Sequence, residues 1–446
     1  MTTNDSIRQP RGDRTQVPVA AGSSSPLRVC IDARLVSGGR GGVEQVIIGL
    51  ASAFSRMEDG DERYSFLVSP GHTAWLEPFV FGPSSLLVTG AQPAVAIGRR
   101  TLRGTARQMA KAAVPKQLRA VVRLRLHLAA RLPETDGSIE GAGVEVMHFP
   151  MQVGFRTTIP TIFAPHDLQH LHLPEFFSPA EIAEREWRYR ALCDMASIVT
   201  VMSTWGRDDI VARYGLPAEK IRVVPGAAAI EAYEPPSEGD IAATRNRLRL
   251  PDCFTLYPAK AWPHKNHLRL VAALKLLRER GVEVPVVLTG AQDGREIPVL
   301  AAADSLGVRD LIHFVGFVTP GELGAIYRLA HLMVFPTLFE GWGLPILEAL
   351  TAGVPLACSN VTCLPAITAG AAEVFDPYDS SAIADAIARV WQDEPLRRRL
   401  IADGRIRAAC FSWDHSARMF RACYRLLGRR QLSTEDRALL DAPPLA

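Results

Sequence analysis

Residues 335–353 read FPTLFEGWGLPILEALTAG and contain the parts of one strand–turn–helix unit. The apolar strand ends at Phe335, a turn with two glycines follows, and Pro345 stands where the first helical position is expected. Free N–H groups at a helix N-terminus attract an anion, and glycines let the main chain approach it closely. Glu340 opens the turn and Glu348 lies one helical turn in, so the unit predicts a loop that binds an anionic, hydroxyl-bearing ligand. For Glu348 alone, an acid that is favoured by the helix dipole is an equally good explanation.

Strands and helices alternate on both sides of this unit. Before residue 228, strands are predicted at 27–34, 64–68, 144–149, 161–164, 198–202 and 221–224, with helices at 43–54, 181–195 and 204–214. After a linker at 227–240, strands are predicted at 254–257, 284–289, 312–314, 332–335 and 355–357, with helices at 268–280, 322–330, 345–352, 381–391 and 413–427. Such alternation implies parallel pairing, so we predict two doubly wound α/β domains that face each other across a cleft.

Composition limits the class of protein. With 446 residues the chain is too long for one hydrophobic core. Its 50 basic and 47 acidic residues leave a net charge of +3, which argues against a nucleic-acid-binding protein. The seven cysteines show no CxxC spacing and predict reduced thiols rather than a disulfide or zinc framework. No apolar stretch reaches the roughly 18 residues that span a bilayer, so we expect a cytoplasmic protein.

Two further loops follow predicted strands and therefore face the same cleft. LYPAKAWPHKNH, at 256–267, carries Lys260 and Lys265, whose charges can neutralise phosphate groups, although a surface loop with ordinary lysines would look similar. APHDLQHLHLPEFF, at 164–177, carries His166 and Asp167. His170 and His172 in the same loop are weaker candidates. Three neighbouring histidines can indicate a metal site, but no supporting carboxylates can be assigned, so we predict none.

Two glycine-containing or apolar loops are weaker signals. SGGRGG, at 37–42, lacks the full GxGxxG pattern and has no acid at the distance that binds a ribose, so a flexible turn is an equal alternative. VGFV, at 315–318, ends a predicted strand with Phe317 and Val318, for which core packing is an equal alternative.

The spacing of Glu340 and Glu348 resembles the donor-binding signature of retaining family-4 glycosyltransferases of the GT-B fold, which have two glutamates separated by seven residues. The resemblance covers most of residues 27–427. It implies two Rossmann-like domains, an acceptor domain at 27–236 and a nucleotide-sugar donor domain at 237–411. The matching positions are Glu340, Gly341, Gly343, Leu344, Pro345, Glu348 and Ala349.

Four further segments are distinguished in the chain, three outside the two domains and one inserted in the first. Residues 1–26 are expected to be a disordered leader, and 99–131 a basic insert in the first domain. Residues 412–428 are expected to form a C-terminal helix that crosses back to the first domain, and 429–446 a polar tail.

The resemblance implies roles for the donor side of the cleft. In the family the first glutamate lies near the transferred sugar and the second holds the ribose, which assigns Glu340 and Glu348. Lys265 matches a lysine that grips the diphosphate. The family's loop arginine has no match, because Ala259 or Lys260 stands there, and Lys260 is expected to supply that charge. The remaining implied donor contacts are Gly341, Trp342, Gly343, Leu344, Gly41 and Gly42, with Phe317 and Val318 at the base.

On the acceptor side, the loop at 164–177 resembles the HDL-type loop of the family's mannosyltransferase subset. His166 is implied to lie close to the donor sugar, and Asp167 to orient it or to bind acceptor hydroxyls. Arg40 is a further candidate on this side. The PHKN string at 263–266 is similar to the same subset. GDP-mannose is therefore the expected donor.

The implied reaction is a retaining transfer to a growing, lipid-linked glycan of a surface polysaccharide. Lys265, Glu340 and His166 are the implied catalytic residues, and the donor phosphate takes the acceptor proton, so no protein base is expected. No cofactor and no metal are expected. The alternatives are a UDP-sugar donor, a catalytically silent partner, an epimerase of the same fold, and a metal-dependent transferase that uses the Asp-x-Asp pattern at Asp59–Asp61.

The basic insert at 99–131 has ten lysines or arginines and no acids, with apolar residues at helical spacing. A basic amphipathic helix is attracted to anionic lipid, so peripheral contact with the cytoplasmic face of a membrane is expected. A solvated basic helix is the main alternative. RNA binding is less favoured, because no aromatic residues alternate with the charges.

Overall fold

The computed structural model describes residues 25–35, 41–89, 132–291 and 293–446. They form two parallel sheets, one of seven strands and one of six. Arg40, the leader apart from its last two residues, and the basic insert at 99–131 lie outside the described residues. Among those that are described, no helix has both the length and the apolar character needed to cross a bilayer.

The first sheet has the order β3-β2-β1-β4-β5-β6-β7, and all neighbours pair in parallel. Its central strands are fully buried because helices cover both faces, which explains their continuous apolar runs. The strands are β1 (Arg28–Asp32), β2 (Arg63–Val68), β3 (Ser84–Val88), β4 (Val146–Phe149), β5 (Thr161–Phe163), β6 (Ile198–Val201) and β7 (Ile221–Val223).

The two longer helices after β5 begin at serines whose side chains accept from free backbone N–H groups. Ser178 forms a capping box with Glu181, and Ser203 accepts from Gly206 N, as predicted for an N-cap. The helices are α1 (Gly42–Ser55), α2 (Ser138–Gly141), α3 (Gln169–His172), α4 (Pro179–Met195) and α5 (Thr204–Tyr214).

The second sheet has the order β10-β9-β8-β11-β12-β13, again parallel throughout. Its strands are β8 (Thr255–Pro258), β9 (Val286–Thr289), β10 (Ile312–Gly316), β11 (Leu332–Phe335), β12 (Leu356–Ser359) and β13 (Glu373–Phe375). Its helices are α6 (Glu238–Leu248), α7 (His267–Glu279), α8 (Ile297–Ser305), α9 (Pro320–Leu329), α10 (Leu344–Ala352), α11 (Leu364–Thr368), α12 (Ser380–Gln392) and α13 (Glu394–Ala408). The predicted linker at 227–240 is wrong at its end, because Ser237 caps α6 and the helix begins at Glu238.

The chain then returns to the first sheet through α14 (Trp413–Leu427) and α15 (Thr434–Asp441). The Tyr424 hydroxyl lies 2.8 Å from Nδ1 of the buried His148, and the Phe420 ring packs on the same imidazole. The expectation of only a polar tail at 429–446 is wrong. Asp436 of α15 is buried and accepts a 2.9 Å bond from Arg425, which holds this helix against α14.

The closest packing between α14 and the first sheet's helices occurs at Gly49 of α1. A Cβ atom at this position would lie 2.2 Å from the Trp413 ring. We expect Gly49→Ala to lower the free energy of unfolding by about 1–3 kcal/mol, because the added methyl overpacks a filled interior. Gly141→Ala is the matched control, because a Cβ there meets nothing within 4 Å. Equal melting temperatures for the two variants would contradict this packing.

Candidate functional site

The loop after β11 places the glycine-rich turn at the carboxyl edge of the second sheet. Gly343 has φ 97°, a left-handed conformation that favours glycine, and it is the N-cap of α10. Pro345 occupies the first turn, where a missing N–H costs nothing. The free N–H groups of α10 therefore point out of the sheet edge, and the helix begins one residue before the predicted start.

Lys265 and Glu340 form an ion pair at the mouth of this turn. Nζ and Oε1 are 2.5 Å apart, and the side chains are 18% and 13% exposed. The main chain around Lys265 is fixed as well, because its carbonyl accepts a 2.6 Å bond from the buried Tyr257 hydroxyl. The His264 carbonyl accepts a 2.7 Å bond from Leu338 N. The loop at 256–267, which carries Lys265 (the lysine loop), and the loop at 336–343, which carries Glu340 (the glutamate loop), are thus bonded to each other. Together they form one wall of the cleft.

Asn266, which the sequence reading did not single out, joins the same two loops. Its φ of 62° is left-handed, a conformation that asparagine tolerates better than most residues. Its side-chain amide donates to the Pro336 carbonyl at 2.9 Å and to the Pro377 carbonyl at 2.8 Å. Asn266 therefore sets the position of Lys265, the residue before it, and the KN pair was the available signal.

His166 lies on the loop after β5, on the opposite wall. Its φ of 63° is also left-handed, and its Nε2 lies 2.9 Å from the Pro150 carbonyl. A carbonyl only accepts, so Nε2 carries the proton and Nδ1 is left as an acceptor. Burial lowers the pKa of this imidazole, so it is neutral near pH 7. His166 can therefore accept a hydrogen bond from a hydroxyl group but brings no charge to the site.

Gly341 brings the two walls into contact. A Cβ atom at Gly341 would lie 2.9 Å from the His166 carbonyl and 3.0 Å from Cβ of Asp167. The Ser203 hydroxyl, on the first domain, donates to the Gly341 carbonyl at 3.3 Å. Only a glycine fits this approach without displacement, which places Asp167 beside the glutamate turn.

The N-terminus of α1 reaches the same place from the first domain. Gly41 is its N-cap, with φ 54°, and a Cβ at Gly42 would lie 3.4 Å from the Leu344 side chain. The free N–H groups of α1 and α10 thus lie on opposite sides of one space. Two helix N-termini that converge in this way favour a ligand with more than one negative charge.

Glu348 lies inside this wall rather than at its surface. The carboxyl group is buried and accepts a 2.7 Å bond from the Tyr327 hydroxyl, a partner that sequence reasoning missed. Burial raises the pKa of Glu348 to about 7. The group is therefore poised between its neutral and charged forms near neutral pH, and a hydrogen-bonding ligand would stabilise the charged form.

This raised pKa predicts a pH-dependent stability that Glu348→Gln removes. Below about pH 4.5 the group is protonated in both folded and unfolded chains. Between about pH 4.5 and about 7 only the folded chain retains the proton, so the free energy of unfolding falls across this window as pH rises, by about 3 kcal/mol in total. Glutamine keeps a partner for Tyr327 and cannot ionise. Urea unfolding at pH 5 and pH 8 should show a larger loss for wild type, and equal losses would contradict the assignment.

The other predicted donor contacts fall into two groups. Phe317 is 67% exposed beyond β10, so core packing does not explain it, whereas Val318 packs against the core. The Trp342 side chain is buried between Gly226 and Phe411 and belongs to the domain contact. Any donor contact at Trp342 would be made by its main chain. Lys260 is half-buried on the lysine loop, and its main chain packs against Gly290.

The residues that were weaker candidates for a metal or substrate site pair with other side chains of the protein. Nε2 of His170 lies 2.9 Å from Glu186, and Nε2 of His172 lies 2.9 Å from Asp209. Asp59 lies before β2, at the opposite end of the strands from the cleft, and pairs with Arg421 at 2.6 Å. In the part of the chain that the structure describes, no group of three or more His, Cys, Asp or Glu side chains could hold a metal ion.

Comparisons with known proteins agree with this geometry. Residues 40–231 match the family described as Glycosyltransferase Family 4, and residues 242–407 match Glycosyl transferases group 1. The O-antigen chain mannosyltransferase B of Escherichia coli is 32% identical over 265 residues, which are 59% of this chain and 69% of that protein. The serotype-specific mannosyltransferase WbdA of Escherichia coli is 29% identical over 58% of this chain but only 32% of its own length.

Solved structures support the fold alone. The sucrose-phosphate synthase of Thermosynechococcus elongatus superposes with a TM-score of 0.65 and 21% identity, covering 90% of this chain and 99% of that one. This likeness supports the fold of two parallel-sheet domains.

Proposed function

This chain belongs to the family-4 glycosyltransferases of the GT-B fold, and from that premise we propose that it transfers mannose from GDP-mannose, with retention, to a growing surface-polysaccharide glycan. One observation carries the proposal. The Lys265–Glu340 pair stands at the N-terminus of α10, and His166 and Asp167 face it through the contact at Gly341. A cation, an acid and two polar groups thus surround the space where a sugar diphosphate would lie.

The donor assignment rests on sequence motifs and on the names of relatives. The HDL and PHKN strings are similar to the mannosyltransferase subset, and the two relatives from Escherichia coli are named as mannosyltransferases. One of those names specifies an O-antigen chain, which supports a surface-polysaccharide acceptor. A lipid-linked acceptor and peripheral contact with a membrane remain part of this proposal.

In the proposed reaction the bond between the sugar C1 and the diphosphate oxygen breaks. The acceptor oxygen forms its bond to C1 on the same face, and its proton passes to the departing phosphate. Lys265 exchanges Glu340 for the phosphate oxygens and stabilises the charge that develops there, usually the largest contribution to catalysis. The freed Glu340 and Nδ1 of His166 then accept hydrogen bonds from sugar hydroxyls, and Glu348 from the ribose. The proposed transfer uses no metal.

The test is product analysis with a synthetic lipid that ends in mannose. The protein should transfer mannose from GDP-mannose in buffer with EDTA, and proton NMR should show an α-linked product, the configuration of the donor. A β-linked product would contradict retention. Transfer from UDP-glucose alone would overturn the donor, and release of free sugar isomers without acceptor would indicate an epimerase.

A further inference from the structure

The charges on the two walls leave the cleft short of positive charge. Lys265 is neutralised by Glu340, and Asp167 adds a carboxylate beside them. The two nearby histidines bring no charge, because burial lowers the pKa of His166 and holds that of His264 at about 3. The family's loop arginine is absent from the lysine loop. A diphosphate carries at least two negative charges, and Lys260 offers only a point charge in place of that arginine, so a guanidinium from elsewhere in the cleft would strengthen diphosphate binding.

Arg185 of α4 is a candidate for that cation, because no carboxylate of the described chain pairs with it. The two arginines that follow on the same helix are already paired, Arg188 with Glu184 and Arg190 with Glu186. The guanidinium of Arg185 instead lies 4.6 Å from the centre of the Phe177 ring. Its side chain is only half-buried. An arginine held on an aromatic ring keeps its N–H groups available for an anion.

The packing around Arg185 relates it to the wall of the cleft that carries Asp167. Phe177 ends the same loop that carries Asp167, and the ring of His170 contacts both Phe177 and Tyr189 of α4. This packing ties the arginine to that loop.

The electrostatic effects of Arg185 agree with this position. Burial raises the pKa of Asp167, and the charges of Arg185 and Lys265 oppose that shift, whereas Glu340 reinforces it. The same two cations act on His264, the neighbour of Lys265 on the second domain. The charges of Arg185 and Lys265 therefore both act on Asp167 and His264.

We propose that Arg185 binds the donor diphosphate together with Lys265, as a cation that the first domain supplies in place of the missing loop arginine. The inference rests on the proposed function for the presence of a diphosphate, but it does not depend on which base or sugar the donor carries. A planar guanidinium can bind two phosphate oxygens at once, which a lysine cannot. Donor binding would then bridge the two domains and draw them together.

The experiment compares Arg185→Met with Arg190→Met. Both substitutions remove a guanidinium stacked on an aromatic ring of the first domain, since Arg190 lies 4.1 Å from the Tyr214 ring. Arg190 is paired with Glu186, whereas Arg185 stacks on Phe177 at the end of the loop that carries Asp167. Calorimetric titration uses GDP, UDP, GMP and UMP as probes. We expect Arg185→Met to weaken the preferred diphosphate about 10- to 100-fold, while the monophosphate changes less than about twofold. Arg190→Met should match wild type, and Arg185→Lys should recover part of the loss.

The other outcomes overturn the inference in distinguishable ways. If Arg185→Met binds both diphosphates as wild type does, Arg185 is not a donor ligand, although the proposed function stands. If only the KM for the acceptor rises, the arginine belongs to the acceptor side. Equal losses for diphosphate and monophosphate, or for both arginine variants, would indicate a structural role. If wild type binds none of the four nucleotides, the proposed function falls and this inference with it.

Discussion

Lys265→Ala should lower kcat by about 10²- to 10³-fold, the loss typical of removing one preorganised group that stabilises developing charge. The main chain at Lys265 is fixed, because its carbonyl accepts a 2.6 Å bond from the Tyr257 hydroxyl and Asn266 bonds to the neighbouring loop. The substitution therefore removes a charge that is already in position. The substitution also leaves Glu340 without its cation, and that carboxylate would then repel the diphosphate. Donor affinity should therefore fall together with kcat.

The matched control for this variant is Lys275→Ala. Lys275 lies on α7, is 45% exposed and pairs with Glu279 at 3.0 Å, so it is also a lysine in an ion pair but lies outside the cleft. Steady-state kinetics and calorimetry on both variants separate charge at the site from charge in general. A Lys265→Ala enzyme within threefold of wild type would show that another group stabilises the leaving diphosphate.

Gly341→Ala should lower kcat/KM by about 10- to 100-fold without unfolding the protein. The new Cβ would lie 2.9 Å from the His166 carbonyl, so the turn that carries Glu340 must move away from Asp167. A displacement on the order of 1 Å between groups that act on one substrate can cost 10²-fold in rate. The backbone of Gly341 is not left-handed, so alanine itself introduces no strain in the loop.

The control is Gly321→Ala on α9, where a Cβ meets nothing within 4 Å. Both variants should melt close to wild type, and only Gly341→Ala should lose activity. Full activity in Gly341→Ala would mean that the close approach of the two walls, as the structure has it, is not the arrangement in which transfer occurs.

Several strands that were predicted correctly have continuous apolar sequences, and several elements that were missed bury few residues. The strands β1, β4, β6 and β11 are buried on both faces and were predicted within a few residues. The edge strands β3 and β13 were missed, because each is short, pairs on one side only and buries a single residue, so its sequence shows no clear buried face. The helix α13 was missed because its sequence, EPLRRRLIADGRIRA, has few large apolar residues and buries only Leu400, Gly404 and Ala408.

The residues of the site show a similar difference between those that carry a motif and those that do not. The side chains of Glu340, Lys265, His166 and Asp167 were predicted from motifs, and the structure brings them together. Their supporting partners are distant in sequence and carry no motif. Tyr327 reaches Glu348 from α9, and Ser203 reaches Gly341 from α5. Such contacts depend on how two domains pack, which local patterns do not encode.

We propose that the cleft between the two sheets binds a nucleotide-diphosphate sugar, with preference for GDP-mannose. Calorimetric titration of the wild-type chain with GDP-mannose, GDP, UDP-glucose and UDP, in buffer with EDTA, tests it most directly. We expect GDP-mannose and GDP to bind more tightly than either uridine nucleotide, and we expect the chelator to leave this binding intact. Binding of the uridine nucleotides alone would contradict the donor, and binding of none of the four would contradict the site itself.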